Sequence, residues 1–117
     1  MATTVLIVDD HPSFRATARA ILQADGFDVV GEAENGANGL RTAEKLHPDV
    51  VLLDVQLPDV DGFEVASRLT GNGGAPLVVL TSSRDAADFG PLVAQSGARG
   101  FVPKAELSGA ALRAVLG

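Results

Sequence analysis

Cysteine, tryptophan and tyrosine are all missing from this 117-residue chain, and methionine occurs once. Without cysteine there is neither a disulfide frame nor a thiolate metal site, and nothing requires an oxidising compartment. Basic residues are few: nine Lys and Arg against fifteen Asp and Glu give a net charge of −6. Only Lys45 and Lys104 are lysines. That balance argues against direct nucleic-acid binding by this chain, which needs basic patches to displace counterions. No apolar stretch reaches membrane-spanning length. The N-terminus, MATTVLIVDDHPSFR, meets acid within ten residues, a pattern foreign to signal peptides. What remains is a soluble, cytoplasmic chain of one domain, whose 46% hydrophobic residues suffice for a core.

Three short runs are wholly apolar: Val5–Val8, Val50–Leu53 and Leu77–Leu80. Such runs suit strands buried on both faces, as in a parallel sheet. Phe27–Val30 and Gly100–Val102 are weaker strand candidates. Helical spacing lies between them, at Phe14, Ala18, Ile21 and Leu22, at Ala37, Leu40, Ala43 and Leu46, and at Phe63, Ala66 and Leu69. Leu107, Ala111 and Val115 continue that spacing at the end of the chain, in a last helix starting near Ser108. Phe89, Leu92 and Val93 predict a fourth helix, which Gly90-Pro91 confines to a short segment starting near Pro91. Thr70-Gly-Asn-Gly-Gly reads as a flexible loop, and Asn35-Gly36 lacks the two alternating flanks a hairpin needs. The order is βαβαβαβαβα, which implies a parallel sheet covered on both faces with right-handed crossovers.

The stretch VLLDVQLPDVDG, residues 51–62, drives an apolar run straight into Asp54. Asp9 and Asp10 follow the first strand, Thr81 and Ser82 the fourth, and Lys104 the fifth. Open α/β sheets place ligand sites at these carboxyl ends. In the strand order 2-1-3-4-5, strands one and three are neighbours, and Asp9, Asp10 and Asp54 would share one crevice. Three carboxylates so close repel one another unless a cation is present. A hard divalent ion suits oxygen ligands, and Mg2+ commonly takes one or two carboxylates, waters and a phosphate. A carboxylate, a metal, a lysine and a hydroxyl around one crevice are what phosphoryl transfer to aspartate needs.

At this point the chain resembles a known family over its whole length: the receiver domain of two-component response regulators. The resemblance rests on Asp9-Asp10, on Asp54 with Pro58 and Asp61-Gly62 behind it, on Thr81, and on Lys104 in Gly-Phe-Val-Pro-Lys. DDHPSFR and GARGFVPK are most similar to the subfamily with a C-terminal helix-turn-helix (LuxR-type) output domain. The resemblance implies a flavodoxin-like, doubly wound (βα)5 fold with a five-stranded parallel sheet in the order 2-1-3-4-5. It implies Asp54 as phosphoacceptor for a phosphohistidine of a sensor histidine kinase. It implies Mg2+ held by Asp10, Asp54 and the backbone carbonyl of Gln56, with Asp9 acting through a metal-bound water. Lys104 would pair with the phosphoryl group, Thr81 would move toward it, and Phe101 would change rotamer with Thr81 as a two-state element. Two departures stand out. Many receivers have proline after the lysine, but here Pro103 precedes Lys104 and Ala105 follows, so no Lys-Pro bond exists. Phe101 stands where many members have tyrosine, so a switch there must be a packing change.

Bland readings compete at single positions. Asp9 and Asp10 alone suit a helix N-cap. Asp59 and Asp61 read as turn residues, and Gly62 as a backbone-geometry residue. Ser82 is the rival to Thr81. His11 offers itself as a phosphoacceptor or ligand, but before Pro12 at a helix start it reads as a loop residue near the site, and His47 in Leu-His-Pro as a plain loop residue. Three rival functions fit the sequence less well. A haloacid-dehalogenase-like phosphohydrolase needs a second acid two residues after the nucleophile, and that position is Gln56. An FMN carrier wants a phosphate-cradling loop after strand one and aromatics around the ring. A phosphorylation-independent pseudo-receiver serving as a dimerisation module would not need the acid, hydroxyl and lysine set. The expectation is a receiver domain over residues 1–117 with no output domain in the chain. It would catalyse its own phosphorylation and dephosphorylation without turning over an external substrate, regulate a DNA-binding output domain or partner protein, and form a homodimer on phosphorylation.

Overall fold

The computed structural model describes residues 2–71 and 76–117, so Asn72, Gly73 and Gly74 of the expected flexible loop lie outside the described residues. Five strands and five helices alternate: β1 Thr4–Val8, α1 Pro12–Ala24, β2 Asp28–Ala33, α2 Gly36–Leu46, β3 Val50–Asp54, α3 Gly62–Thr70, β4 Leu77–Ser82, α4 Leu92–Gln95, β5 Gly100–Pro103 and α5 Gly109–Leu116. The strands pair in parallel in the order β2-β1-β3-β4-β5. This is the doubly wound order expected from the alternation, with β1 and β3 at the switch point.

Period-two alternation divides the apolar runs between two cores. Val5, Ile7, Val50, Leu52, Val79 and Val102 point to one face, where Ala18 and Leu22 of α1 and Leu112 of α5 cover them. Leu6, Val8, Val51, Leu53, Val78 and Leu80 point to the other, under Ala43 of α2 and Val65, Ala66 and Leu69 of α3. Strands buried on both sides need no polar face, which is why their sequences do not alternate.

Helix starts follow local chemistry. Pro12 opens α1 with its φ already helical and no N–H to lose. Asn35 caps α2: its side chain accepts a hydrogen bond from the Asn38 N–H at 2.8 Å. The Asn-Gly pair therefore starts a helix rather than a hairpin turn. Asp61 caps α3 through the Glu64 N–H, and Ser108 caps α5 through the Ala111 N–H. Leu107 is consequently excluded from α5, although it is buried beside it. The fourth helix is only one turn long and follows Pro91, as the proline required. A 3-10 turn over Ala86–Phe89 precedes it.

Candidate functional site

The carboxyl ends of β1, β3 and β5 bring the charged residues together. Asp9 follows β1 and is fully buried; its N–H donates to the Ala33 carbonyl at 3.0 Å. Its own carbonyl accepts from Arg15 Nη1 at 2.6 Å, and Arg15 is braced by Glu32. One oxygen, Asp9 Oδ1, accepts from the His11 N–H at 2.8 Å. Asp54, the last residue of β3, is buried as well, and its Oδ1 accepts from the Gln56 N–H at 3.1 Å. Lys104 lies just beyond β5 and reaches across the crevice. Its Nζ is 3.3 Å from Asp54 Oδ2 and 2.8 Å from Asp9 Oδ2, with its ammonium over the Phe14 ring. A proline before the lysine therefore delivers the charge to the acids without a Lys-Pro bond.

Burial pushes the Asp54 carboxyl above its ordinary pKa, and the neighbouring Asp9 charge pushes the same way. The Gln56 N–H and the Lys104 ammonium pull it down without cancelling the effect. The site thus holds more negative charge than its lysine neutralises. Among the described residues, two buried carboxylate oxygens, Asp9 Oδ2 and Asp10 Oδ1, have no hydrogen-bond partner. Lys104 approaches Asp9 Oδ2 as a charge only, off the line a hydrogen bond needs. Ligand atoms of Asp9, Asp10, His11 and Asp54 all lie within 4.8 Å of one another. Unused oxygen acceptors converging at this spacing suit a hard divalent cation.

The loop after β3 is held at several points. The Gly62 N–H donates to the Val55 carbonyl at 2.7 Å, and Gln56 pairs with Asp61 across the loop. A Cβ on Gly62 would collide with the Asp54 carbonyl, so only glycine lets α3 start this close to β3. Asp59 accepts from the N–H groups of Gly36 and Ala37 at 2.8 and 3.0 Å, which ties the loop to the start of α2. Those two donors hold its carboxyl below its ordinary pKa.

Of the residues expected at the site, Asp9, Asp10, Asp54 and Lys104 meet in one crevice. Thr81 is the register partner of Asp54 on β4, but its hydroxyl donates to the Val102 carbonyl at 2.7 Å. The rival, Ser82, is also buried, and its Oγ accepts from the Arg84 N–H. Phe101 is half-buried on β5. Its ring centroid is 5.8 Å from that of Phe89, which stands 5.5 Å from Phe63.

These findings accompany a match over residues 5–116 to the response regulator receiver domain. The chain belongs to the response regulator receiver family. Receiver-domain relatives agree with it. The transcription regulator BvgA of Bordetella pertussis is 40% identical over 106 residues, 91% of this chain and 51% of that protein. The signal receiver domain of the response regulator NarL from Mycobacterium tuberculosis superposes with a TM-score of 0.87 at 34% identity, over 99% of this chain and 98% of that one. A LuxR-family two-component response regulator from an Aurantimonas species gives 0.84 at 27% identity, over 99% and 86%. This receiver spans about half the length of the curated relatives it matches. Among the described residues, no helix is long and apolar enough to cross a membrane.

Two contributions to this crevice, from Arg15 and Asp59, went unread in the sequence, and a third, from His11, was outweighed by its loop reading. The sequence favours His11 as a loop residue beside the site, yet the ring turns into it: Nδ1 is hydrogen-bonded to Asp9 Oδ1 at 3.0 Å and lies 3.2 Å from Asp10 Oδ1. Arg15 fixes the Asp9 backbone, and its signal was available. A helix opened by Pro12 turns a residue three positions on back toward the strand end. Asp59 gave no such signal, because the N–H groups it binds are 22 and 23 residues away.

Proposed function

We propose that this receiver is a phosphoacceptor switch, with Asp54 taking a phosphoryl group from the phosphohistidine of a sensor histidine kinase. A carboxylate oxygen of Asp54 attacks phosphorus, the P–N bond breaks, and its electron pair leaves on the histidine nitrogen. The product is an aspartyl phosphate. The observation that carries this reading is the buried Asp54 carboxylate, flanked by Lys104 and by two carboxylates with unused oxygens.

Mg2+ fits this donor set, with Asp10, Asp54 and the Gln56 carbonyl as protein ligands and Asp9 acting through a water. Bound there, the ion would offset charge on the phosphoryl oxygens. Lys104 has the reach to pair with the transferred group. Thr81 would have to release the Val102 carbonyl to donate to a phosphoryl oxygen, and Phe101 would repack in response. Water then attacks the aspartyl phosphate, inorganic phosphate leaves and the Asp54 carboxylate is restored, so the only phosphoryl group the domain hydrolyses is its own. Residues 1–117 form the receiver, and a DNA-binding output domain or partner protein reads its state, through a homodimer in the phosphorylated form. The net charge of −6 supports leaving nucleic-acid contact to the output domain and fits work in the cytoplasm.

Incubation with acetyl phosphate or phosphoramidate, with Mg2+ or with EDTA, tests this by intact mass. The expected result is one Mg2+-dependent, hydroxylamine-labile phosphate adduct that Asp54→Asn abolishes. An adduct that survives the substitution, or none when Mg2+ is bound, overturns the assignment of Asp54.

A further inference from the structure

The unabsorbed feature of the crevice is His11. Its side chain is 61% exposed, yet Nδ1 faces inward, 3.0 Å from Asp9 Oδ1, 3.2 Å from Asp10 Oδ1 and 3.5 Å from Lys104 Nζ. As the N-cap of α1 it makes no side-chain capping bond; the ring is held instead by the Nδ1 hydrogen bond to Asp9 Oδ1, which an entering ion would replace. Directly beside it, the fully buried Asp9 directs into the same space an oxygen, Oδ2, that makes no hydrogen bond.

We infer that His11 is a metal ligand, and that the crevice prefers divalent ions that accept imidazole nitrogen over Mg2+. The inference rests on the acidic cation site proposed above and adds a fourth side chain to it. Mg2+ is hard, prefers oxygen and keeps its waters, so it gains little from a ring nitrogen. Co2+, Cu2+ and Zn2+ bind imidazole well and stand higher in the general affinity order. A mixed set of three carboxylates and one imidazole within 4.8 Å is therefore better matched to them. Lys104 is the competing cation. An entering ion takes over the charge it now balances at Asp9 and Asp54, while the Phe14 face remains beneath the displaced ammonium.

The test uses the full chain carrying His47→Asn, which removes the only other histidine. His47 sits at φ 48°, a conformation asparagine tolerates. Co2+ is titrated by its visible absorption and Mg2+ by calorimetry, before and after His11→Asn. The substitution should weaken Co2+ at least about tenfold, the loss already seen when only a ligand's supporting hydrogen bond is removed. Mg2+ affinity should not change. Bound Cu2+ should show nitrogen hyperfine splitting in its paramagnetic resonance, lost in His11→Asn. Unchanged Co2+ affinity, or equal loss of Co2+ and Mg2+, overturns the role of His11 and leaves the acidic site standing. Failure of the parent chain to bind either ion overturns both.

Discussion

On the β1–β3 side of the crevice, three contacts tie the backbone down. Arg15 grips the Asp9 carbonyl, Asp59 binds the start of α2, and Gly62 closes on Val55. The helices there, α1, α2 and α3, run 13, 11 and 9 residues. On the β4–β5 side, the crossover is a 3-10 turn and a single turn of helix, neither with a buried residue. Leu92 there is 45% exposed. Thr81 and Phe101, the two residues expected to respond, stand on strands flanking this weaker crossover. Chemistry needs acids held in a fixed constellation, whereas a response to new charge needs an element with a second arrangement at small cost. On the proposed function, the two sides of this receiver would divide those requirements.

The largest effect should come from the tight side. Leu53 is fully buried on β3, beneath the helices of the second core. Leu53→Ala should cost about 2–5 kcal/mol, the range for a core leucine whose cavity does not collapse. Urea denaturation of the metal-free protein measures it. A loss below ~1 kcal/mol would mean that this side relaxes far more easily than its packing implies.

Asp54 gives a smaller effect of opposite sign. Its folded pKa is raised, so ionisation is harder in the folded state than in the unfolded one. Well below the ordinary value of 3.8 both states hold the proton, and Asp54→Asn changes little. As pH rises past that value, the unfolded carboxyl ionises freely and the folded one resists. Wild type therefore loses stability until pH exceeds the raised folded pKa. In EDTA, Asp54→Asn should be the more stable protein at neutral pH, by a margin that vanishes in acid. Saturating Mg2+ should reverse the ranking, since an ion at ~100 times its Kd stabilises by about 2.7 kcal/mol. Thermal melts of both proteins across pH, with and without Mg2+, decide it. A margin that does not depend on pH would place the cost of Asp54 in something other than its buried charge.

The same division explains what the sequence disclosed. The apolar runs 5–8, 50–53 and 77–80 announced β1, β3 and β4 because strands buried on both faces must be continuously apolar. Asp9, Asp10, Asp54 and Lys104 were legible because a sheet of this order carries each strand end to one crevice. Pro91 foretold the short α4 because a proline ring bars the interior of a helix. Asn35 was harder, since the same dipeptide serves turns and helix starts, and only flanking residues separate them. The last helix was legible from Ser108, which caps it, and Leu107 shares its apolar spacing while lying just before the cap. What stayed hidden was contact between distant segments: the Asp59 carboxylate on α2, the aromatic series from Phe63 to Phe101, and the inward turn of the His11 ring.

The smallest effect tests the loose side. Leu92→Ala removes a side chain that is nearly half exposed on a helix of four residues. It should change stability by no more than ~0.5 kcal/mol, the surface range. Hydrogen exchange supplies the positive counterpart. Amides of Ala86–Gln95 should exchange through local opening, at free energies well below those of Val5–Val8 and Val50–Leu53, which should approach the global value. Formation of the aspartyl phosphate should then alter protection in 86–95 more than in β1 or β3, because a crossover with no buried residue in its helices rearranges at the smallest cost. Equal protection on both sides in the unphosphorylated protein would erase the contrast, and the response would have to be sought in β1–α3 instead.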